Sequence, residues 1–385
     1  MADDPAPEAL PFPLYLTHDL PGVGGEWKQT PEDFLVEEIP AYLPSGEGEH
    51  LFLWIEKRDL SGEMLLSRIS RGLNIPSSEI GMAGIKDRRA VTRQWVSVPA
   101  KAEGMVTSLE SDDLRVLEAK RHRNKLKTGH LHGNRFTAML RGVRNDPVLI
   151  EAIAHRLRTA GCPNYYGEQR FGHDQGTLAL GEQLLRGEKT PADLPPARRR
   201  FLLRMALSAV QSQLFNHVLA ERLADGLFSQ VMRGDLMEVL PAGGKFIVAD
   251  PEVEQSRFNQ QETSITGPMF GMKMRAPEGV PLERERRILA RSGFGIEAFA
   301  PYASLMEGAR RALRFLPHGL TCELWDESDS PPADLSTNHS RSTSLRVSVE
   351  LPAGAYLTVL LREFQKPEPQ RGGTLHESDT LDEAE

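Results

Sequence analysis

The order of strand-like and helix-like segments predicts a mixed α/β domain interrupted by an inserted domain. Three observations carry this. Segments of alternating polarity crowd the first 140 residues and return after about residue 310. Between them the pattern turns helical. A chain of 385 residues is long for one domain and ordinary for a domain that carries another.

Residues 1–30 read as a Pro/Gly-rich arm. TPED, residues 30–33, offers a Thr cap, Pro at the first helical position and acids in the first turn, the start of a short helix or turn. FLVEEIPAY and HLFLWIEKR alternate as strands around the loop PSGEGE. SGEMLLSRISRGL is a helix capped by Ser61 and stopped near Gly72. IGMAGI is a short apolar strand, KDRRAVTR a charged loop and QWVSV a strand. LRVLEAK and NRFTAMLRGV are strands bracketing the basic loop RHRNKLKTGHLHG. DPVLIEAIAHRLRTAG is an amphipathic helix ending at Gly161.

The character then changes. CPNYYGEQRFGHDQG is a loop rich in glycine, aromatic and polar residues. TLALGEQLLRG and ARRRFLLRMALSAVQSQLFNHVLAERLADG are helices. VMRGDLMEVL and GKFIVAD form a hairpin about PAGG, and 281–293 is a further helix. ALRFLP, LTCELWD and SLRVSVELP restore strands, joined partly by the polar stretch 327–344. AYLTVLLREF closes the fold as a helix, and 366–385 is expected to be a disordered tail.

Composition excludes several classes. Apolar residues make up 39% and charged residues 26%, enough to bury a sizeable core. No run approaches the ~18 apolar residues of a membrane span. The acidic, Pro-rich start lacks the basic and apolar regions of a secretory signal, so the chain is expected to stay in the cytoplasm. Cys162 and Cys322 are far apart and form no CxxC pair, which leaves two ordinary thiols rather than a disulfide framework or zinc site. GVGG at 22–25 lacks the third glycine of a dinucleotide loop, and Gly243-Gly244-Lys245 lacks the first glycine of a P-loop. His122, His130 and His132 cluster without a carboxylate or Cys at ligand spacing, so they read as polar residues of a basic loop.

The formal net charge of −8 seems to argue against a nucleic-acid partner. Its distribution says otherwise. Residues 1–50 carry −10 and residues 366–385 carry −4, leaving +6 for the body. Residues 115–144 alone hold nine Lys/Arg and one acid. A basic stripe interleaved with glycine and aromatics is the footprint of phosphate-backbone binding. Its plainer reading is a solvated, salt-bridged face. The acidic ends would then screen the body from non-specific RNA.

The segment GMAGIKDRRAVTRQWVSV, residues 81–98, carries the chemistry. A small-residue strand leads into a loop projecting Lys86, Asp87, Arg88 and Arg89, then into a second strand. One carboxylate among cations on a sheet-held loop can serve as a catalytic group, kept ionised by its neighbours. Taken alone, an Asp in a turn is more often a backbone cap.

GIKDRRAVTRQ resembles the G-x-KD-x-x-A-x-T-x-Q signature of the TruD family of tRNA pseudouridine synthases. WKQTPEDFLVEE at 27–38, GNRFTAML at 133–140, PNYYGEQRFG at 163–172 and ALSAVQSQLFNHVLAERL at 206–223 resemble other blocks of that family. So do ITGPMFG at 265–271 and LPAGAYLTVLLREF at 351–364, and together the matches span about residues 20–365. The extra histidines of the basic loop and the acidic tail depart from the pattern without touching the signature.

The resemblance implies the α+β pseudouridine synthase fold, a mixed, largely antiparallel sheet with flanking helices, carrying an inserted α/β TRUD domain. It implies a catalytic domain from residues 1–160 and 311–365, an insert over 161–310 and an acidic tail over 366–385. The implied reaction isomerises uridine to pseudouridine, typically at position 13 in the D arm of tRNA. It needs no cofactor, neither a nucleotide nor a metal, and the expected partner is tRNA with its target uridine flipped out. No membrane and no obligate protein partner are expected. By the same resemblance Asp87 is the catalytic carboxylate, Lys28 the active-site lysine, Phe136 the ring that stacks on the target base and Asn134 a residue ordering the site. From alternation alone Phe136 reads as core. Lys86 and Gln94 fall within the signature as supporting residues. Lys120, Arg121, Arg123, Lys125 and Lys127 are the expected phosphate contacts. Arg170, with Glu168 and Gln169, is a weaker RNA candidate for which a loop-structuring role serves as well. The alternative is a non-catalytic RNA-binding or chaperone module of the same fold. A cofactor-dependent RNA methyltransferase is disfavoured by the missing Gly-rich loop.

Overall fold

The computed structural model describes residues 13–326 and 343–366. Most of the polar stretch expected at 327–344, and the tail expected at 366–385 from residue 367 onward, lie outside the described residues. Among those described, no helix is long and apolar enough to cross a membrane.

The main sheet has the order β13 (His318–Asp326), β14 (Thr343–Pro352), β6 (Leu131–Leu140), β1 (Phe34–Pro40), β4 (Val91–Pro99), β2 (His50–Arg58), β5 (Leu114–His122), with β3 (Gly81–Met82) on β4. β13 and β14 complete it from the far end of the sequence. All its pairings are antiparallel except β1 with β4. This is the mixed, largely antiparallel sheet expected.

One face of the sheet is apolar. α1 (Gly62–Gly72), capped by the Ser61 side chain as expected, packs Leu65 and Ile69 against Leu53, Ile55, Val96 and Val98. α2 (Pro147–Ala160) packs Leu149, Ile153 and Leu157 against Phe136, Ala138, Val347 and Val349, joined by α7 (Leu357–Gln365). α1 covers β2 and one end of β4, α2 and α7 cover β6 and β14, and Glu38 of β1 with Thr92 and Gln94 of β4 lie between. The other face is mostly polar, with Arg135 bridging Glu37 and Glu350 and Arg93 bonded to Glu56, apart from a small apolar cluster of Phe52, Trp95 and Leu126. An antiparallel sheet with one packed and one solvated face accounts for the alternation in the sequence.

The middle of the chain builds a second body. β7 (Cys162–Pro163) pairs with β12 (Arg314–Phe315). α3 (Gly176–Leu185) packs along α4 (Arg199–Ala224). β8 (Leu236–Val239), β9 (Lys245–Ile247), β10 (Thr263–Met269) and β11 (Ala309–Ala312) form a sheet ordered β11-β10-β8-β9. α5 (Pro251–Asn259) and α6 (Gly279–Arg291) flank it. α4 serves both bodies: Leu203 to Leu214 lie in the second core, while Phe215 and Leu219 join the first. Burial pushes the Cys162 thiol well up and that of Cys322 to about 12, which leaves both unreactive.

Some elements differ from the expectation. β4 begins at Val91, so the charged loop is shorter, and IGMAGI contributes only Gly81–Met82 as strand. α5 was not legible because only Phe258 of PEVEQSRFN is buried, too little for an amphipathic stripe. β10 contains Gly and Pro, which read as a turn. Its first half pairs only with β8 and its second only with β11, so Pro268 sits in a half-edge strand where its missing N–H is tolerated. Gly267 is needed there because a Cβ would come within 2.6 Å of Leu313 and 2.9 Å of Phe215.

Candidate active site

The loop between β3 and β4, residues 83–90, crosses the gap that α1 and α2 leave on the packed face. Two buried lysines hold it. Lys86 turns inward, donates to Asn134 Oδ1 at 2.6 Å and pairs with Glu38 Oε2 at 3.3 Å. Lys57, at the end of β2, donates to the main-chain carbonyl of Asp87 at 2.8 Å. The register explains this convergence. Glu38 lies opposite Asn134, Val36 opposite both Phe136 and Thr92, and Lys57 opposite Thr92, so all share one face.

Asp87 itself stays half exposed, 46% at the side chain, and Lys28 Nζ stands 3.5 Å from its Oδ1. Lys28 is held between rings, 4.5 Å from the centroids of both Trp27 and Phe34. Its backbone adopts φ 60°, an expensive left-handed conformation for a residue with a side chain. Glu26 bridges to Arg141 just before it, and Asp33, buried, bonds Arg141 and caps Thr30 just after it. Strain at a lysine fixed on both sides and aimed at a carboxylate marks a built site. Phe34 in turn stacks on Phe136, at 6.0 Å and 3° between planes.

The electrostatics separate the groups. Burial pushes the Glu38 carboxyl up and the Lys86 ammonium down, and each partly offsets the other's shift by pairing. Burial draws Lys57 down to about 8. Gln94 is buried beneath, its amide donating to Met82 Sδ at 3.6 Å and its Oε1 without a hydrogen-bond partner among the described residues.

The fold therefore gathers Lys28, Lys86, Asp87, Asn134 and Phe136 around one point, with Gln94 on the same face below. Phe136 is 7% exposed and part of the core under α2, so the alternation reading describes its packing. Its ring also continues the row that ends at Lys28 and Asp87. The basic loop lies elsewhere. Leu126 packs with Phe52 and Trp95 on the opposite face, and Lys125 donates to the Ser78 carbonyl. Lys120 pairs with Glu118, Arg121 with Glu103 at 2.6 Å and Arg123 with Glu47. Lys127 lines a hollow of about 580 Å³ beside Tyr42, His122 and His130. Those histidines engage Tyr42, His122 by stacking at 5.1 Å and His130 by a 2.7 Å hydrogen bond.

Arg170 is bonded to Ser208 and to Ser212 on α4, and Asn216 of α4 clamps Tyr166 through both its N–H and its carbonyl. Thus PNYYGEQRFG and the α4 stretch, singled out separately in the sequence, are one contact. With Tyr15, Tyr356, Thr358 and Arg362 this loop, Glu168 and Gln169 included, lines a cavity of about 880 Å³. Tyr356, in this lining, follows the end of β14 by four residues, and Pro352 at that end pairs with Gly133 next to Asn134. Sequence reasoning missed both Lys57 and Glu38, the two charges that fix the loop from below.

Comparison with known proteins bears on the family and the fold. A family profile described as tRNA pseudouridine synthase D (TruD) matches residues 13–193 and 197–364. A protein of Anaeromyxobacter sp. (strain Fw109-5) named tRNA pseudouridine synthase D is 42% identical over 94% of this chain and 98% of its own. One of the same name from Thermus thermophilus is 41% identical over 94% of each. A crystal structure of a Methanosarcina mazei protein described under that name superposes with a TM-score of 0.74. It covers 92% of this chain and 96% of its own at 24% identity, a likeness of fold.

Proposed function

Since the chain belongs to the TruD family and is a tRNA pseudouridine synthase, we propose that it isomerises uridine 13 in the D arm of tRNA with Asp87 as its single catalytic carboxylate. The observation that carries the reading is the loop itself. A half-exposed carboxylate stands 3.5 Å from a strained lysine, on main chain tied to the sheet by a second, buried lysine.

The reaction breaks the N1–C1′ bond, rotates the detached base and joins C5 to C1′; C5 then gives up its proton to solvent, and N1, freed from the sugar, takes one up. An ionised carboxylate beside the ribose serves this either as nucleophile at C1′ or as base at the sugar. Lys28 supports its charge. Phe136 is the ring assigned to stack on the base, Asn134 and Lys86 order the floor, and Gln94 supports that floor. Extruding the uridine costs a few kcal/mol, which stacking and phosphate contacts offset. We assign phosphate contacts to Lys120, Arg121, Arg123, Lys125, Lys127 and Arg170. We place the catalytic domain in residues up to about 160 and after about 311, and the insert between. Pairing of β11 within the second sheet and of β13 within the first supports a change-over between Ala312 and His318.

The test is pseudouridine mapping of tRNA transcripts incubated with the protein. Pseudouridine at position 13, absent from a transcript with cytidine there, is expected. Modification confined to another position refutes the site assignment. Salt-sensitive binding with no pseudouridine formed supports the non-catalytic module instead.

A further inference from the structure

Lys57 is 0% exposed, yet among the described residues its ammonium makes no ion pair with a carboxylate. A buried ammonium is one of the costliest groups a core can hold. Here its hydrogen-bond acceptors are two main-chain carbonyls, that of Leu60 in the turn leading to α1 and that of Asp87, at 2.8 Å. One charged group thus ties the end of β2, the start of α1 and the residue bearing the carboxylate into a single node. Lys28 meets the same residue from above, at its side chain, while Lys57 meets it from below, at its backbone.

We propose that Lys57 is a positioning residue for Asp87, its charged ammonium fixing the Asp87 main chain and hence the place of the carboxylate over the sheet. This rests on the reading of Asp87 given above. The hold depends on the proton, because a charge-assisted hydrogen bond is about twice as strong as a neutral one. The charged groups facing Lys57 are Asp87 and Asp59, which favour its proton, and Lys86, which opposes it; burial outweighs them and sets the midpoint at about 8.

The experiment is single-turnover tritium release from tRNA labelled at uridine C5, with saturating enzyme, between pH 6.5 and 9.5. Wild type should lose rate on the alkaline side with a midpoint near 8. Lys57→Met should be slower by about 100-fold at neutral pH, the cost of a misplaced reacting group, with tRNA Kd changed less than about threefold. It should also lack the alkaline limb. Lys57→Arg, charged throughout this range, should exceed Lys57→Met in rate and lack the limb too. A Lys57→Met rate within about threefold of wild type, or the same limb in both, overturns the proposal. Should neither variant fold, a flat wild-type profile overturns it. Wild type forming no pseudouridine would instead refute the reading of the function, so the two failures are distinguishable.

Discussion

Phe136 shows how one side chain serves packing and chemistry together. It lies in the core beneath α2, yet its ring stacks on Phe34, which carries the Lys28 ammonium. Phe136→Leu keeps most of the volume and should cost less than about 1.5 kcal/mol in urea unfolding. It removes the flat ring, so kcat/KM should fall about tenfold or more. A variant that loses stability but no activity would confine Phe136 to the core. Lys57 makes a second residue-scale prediction, with stability and rate moving in opposite directions. Its folded-state midpoint, about 8, lies below the ordinary 10.5. Between those values the unfolded chain holds a proton the folded chain has released, so this group's contribution to stability rises with pH. Urea unfolding should therefore show wild type gaining about 1.5 kcal/mol on Lys57→Met between pH 8 and 9.5, while its turnover falls. Equal pH dependence in both proteins would contradict the burial of a charged Lys57.

At the scale of elements, the strands were legible because they alternate, and that alternation held more than was taken from it. Phe34, Val36 and Glu38 share the inward parity of β1, Leu53, Ile55 and Lys57 that of β2, and Gln94, Val96 and Val98 that of β4. A charged or amide side chain on the apolar parity of a strand is the signal that would have found Glu38 and Lys57. Asp87, in a loop, has no such periodicity, and only the likeness of the whole signature singled it out. The interlock of strands also predicts where the site is brittle. A Cβ on Gly133 would come within 2.1 Å of the Leu351 carbonyl, forcing β6 from β14 one residue before Asn134. Gly133→Ala should lower the unfolding free energy by about 1–3 kcal/mol and slow turnover. Gly84→Ala, on the signature loop with nothing within 4 Å of its Cβ, should leave thermal unfolding unchanged.

At the scale of the molecule, charge distribution pointed to RNA where the net charge did not. The alternation of strands and helices gave the nested architecture, but not which face the basic loop would take. That depended on Leu126 joining Phe52 and Trp95, a long-range contact without a local pattern. The phosphate contacts proposed for the five cations of that stretch therefore lie at a distance from Asp87, on a surface where pairs such as Arg121–Glu103 are exposed and individually weak. Neutralising all five should flatten the salt dependence of tRNA binding by about 0.9 in slope per lost contact and leave the saturated single-turnover rate near wild type. An unchanged slope would place the RNA on another surface.

One carboxylate carries the proposed chemistry, and the direct measurement is tritium release from C5-labelled tRNA by wild type and Asp87→Asn side by side. The amide keeps the size of the side chain and the main-chain bond to Lys57 but removes the charge. Release by wild type and none above background by Asp87→Asn, with tRNA binding intact, is the predicted result. Normal turnover by Asp87→Asn would contradict it.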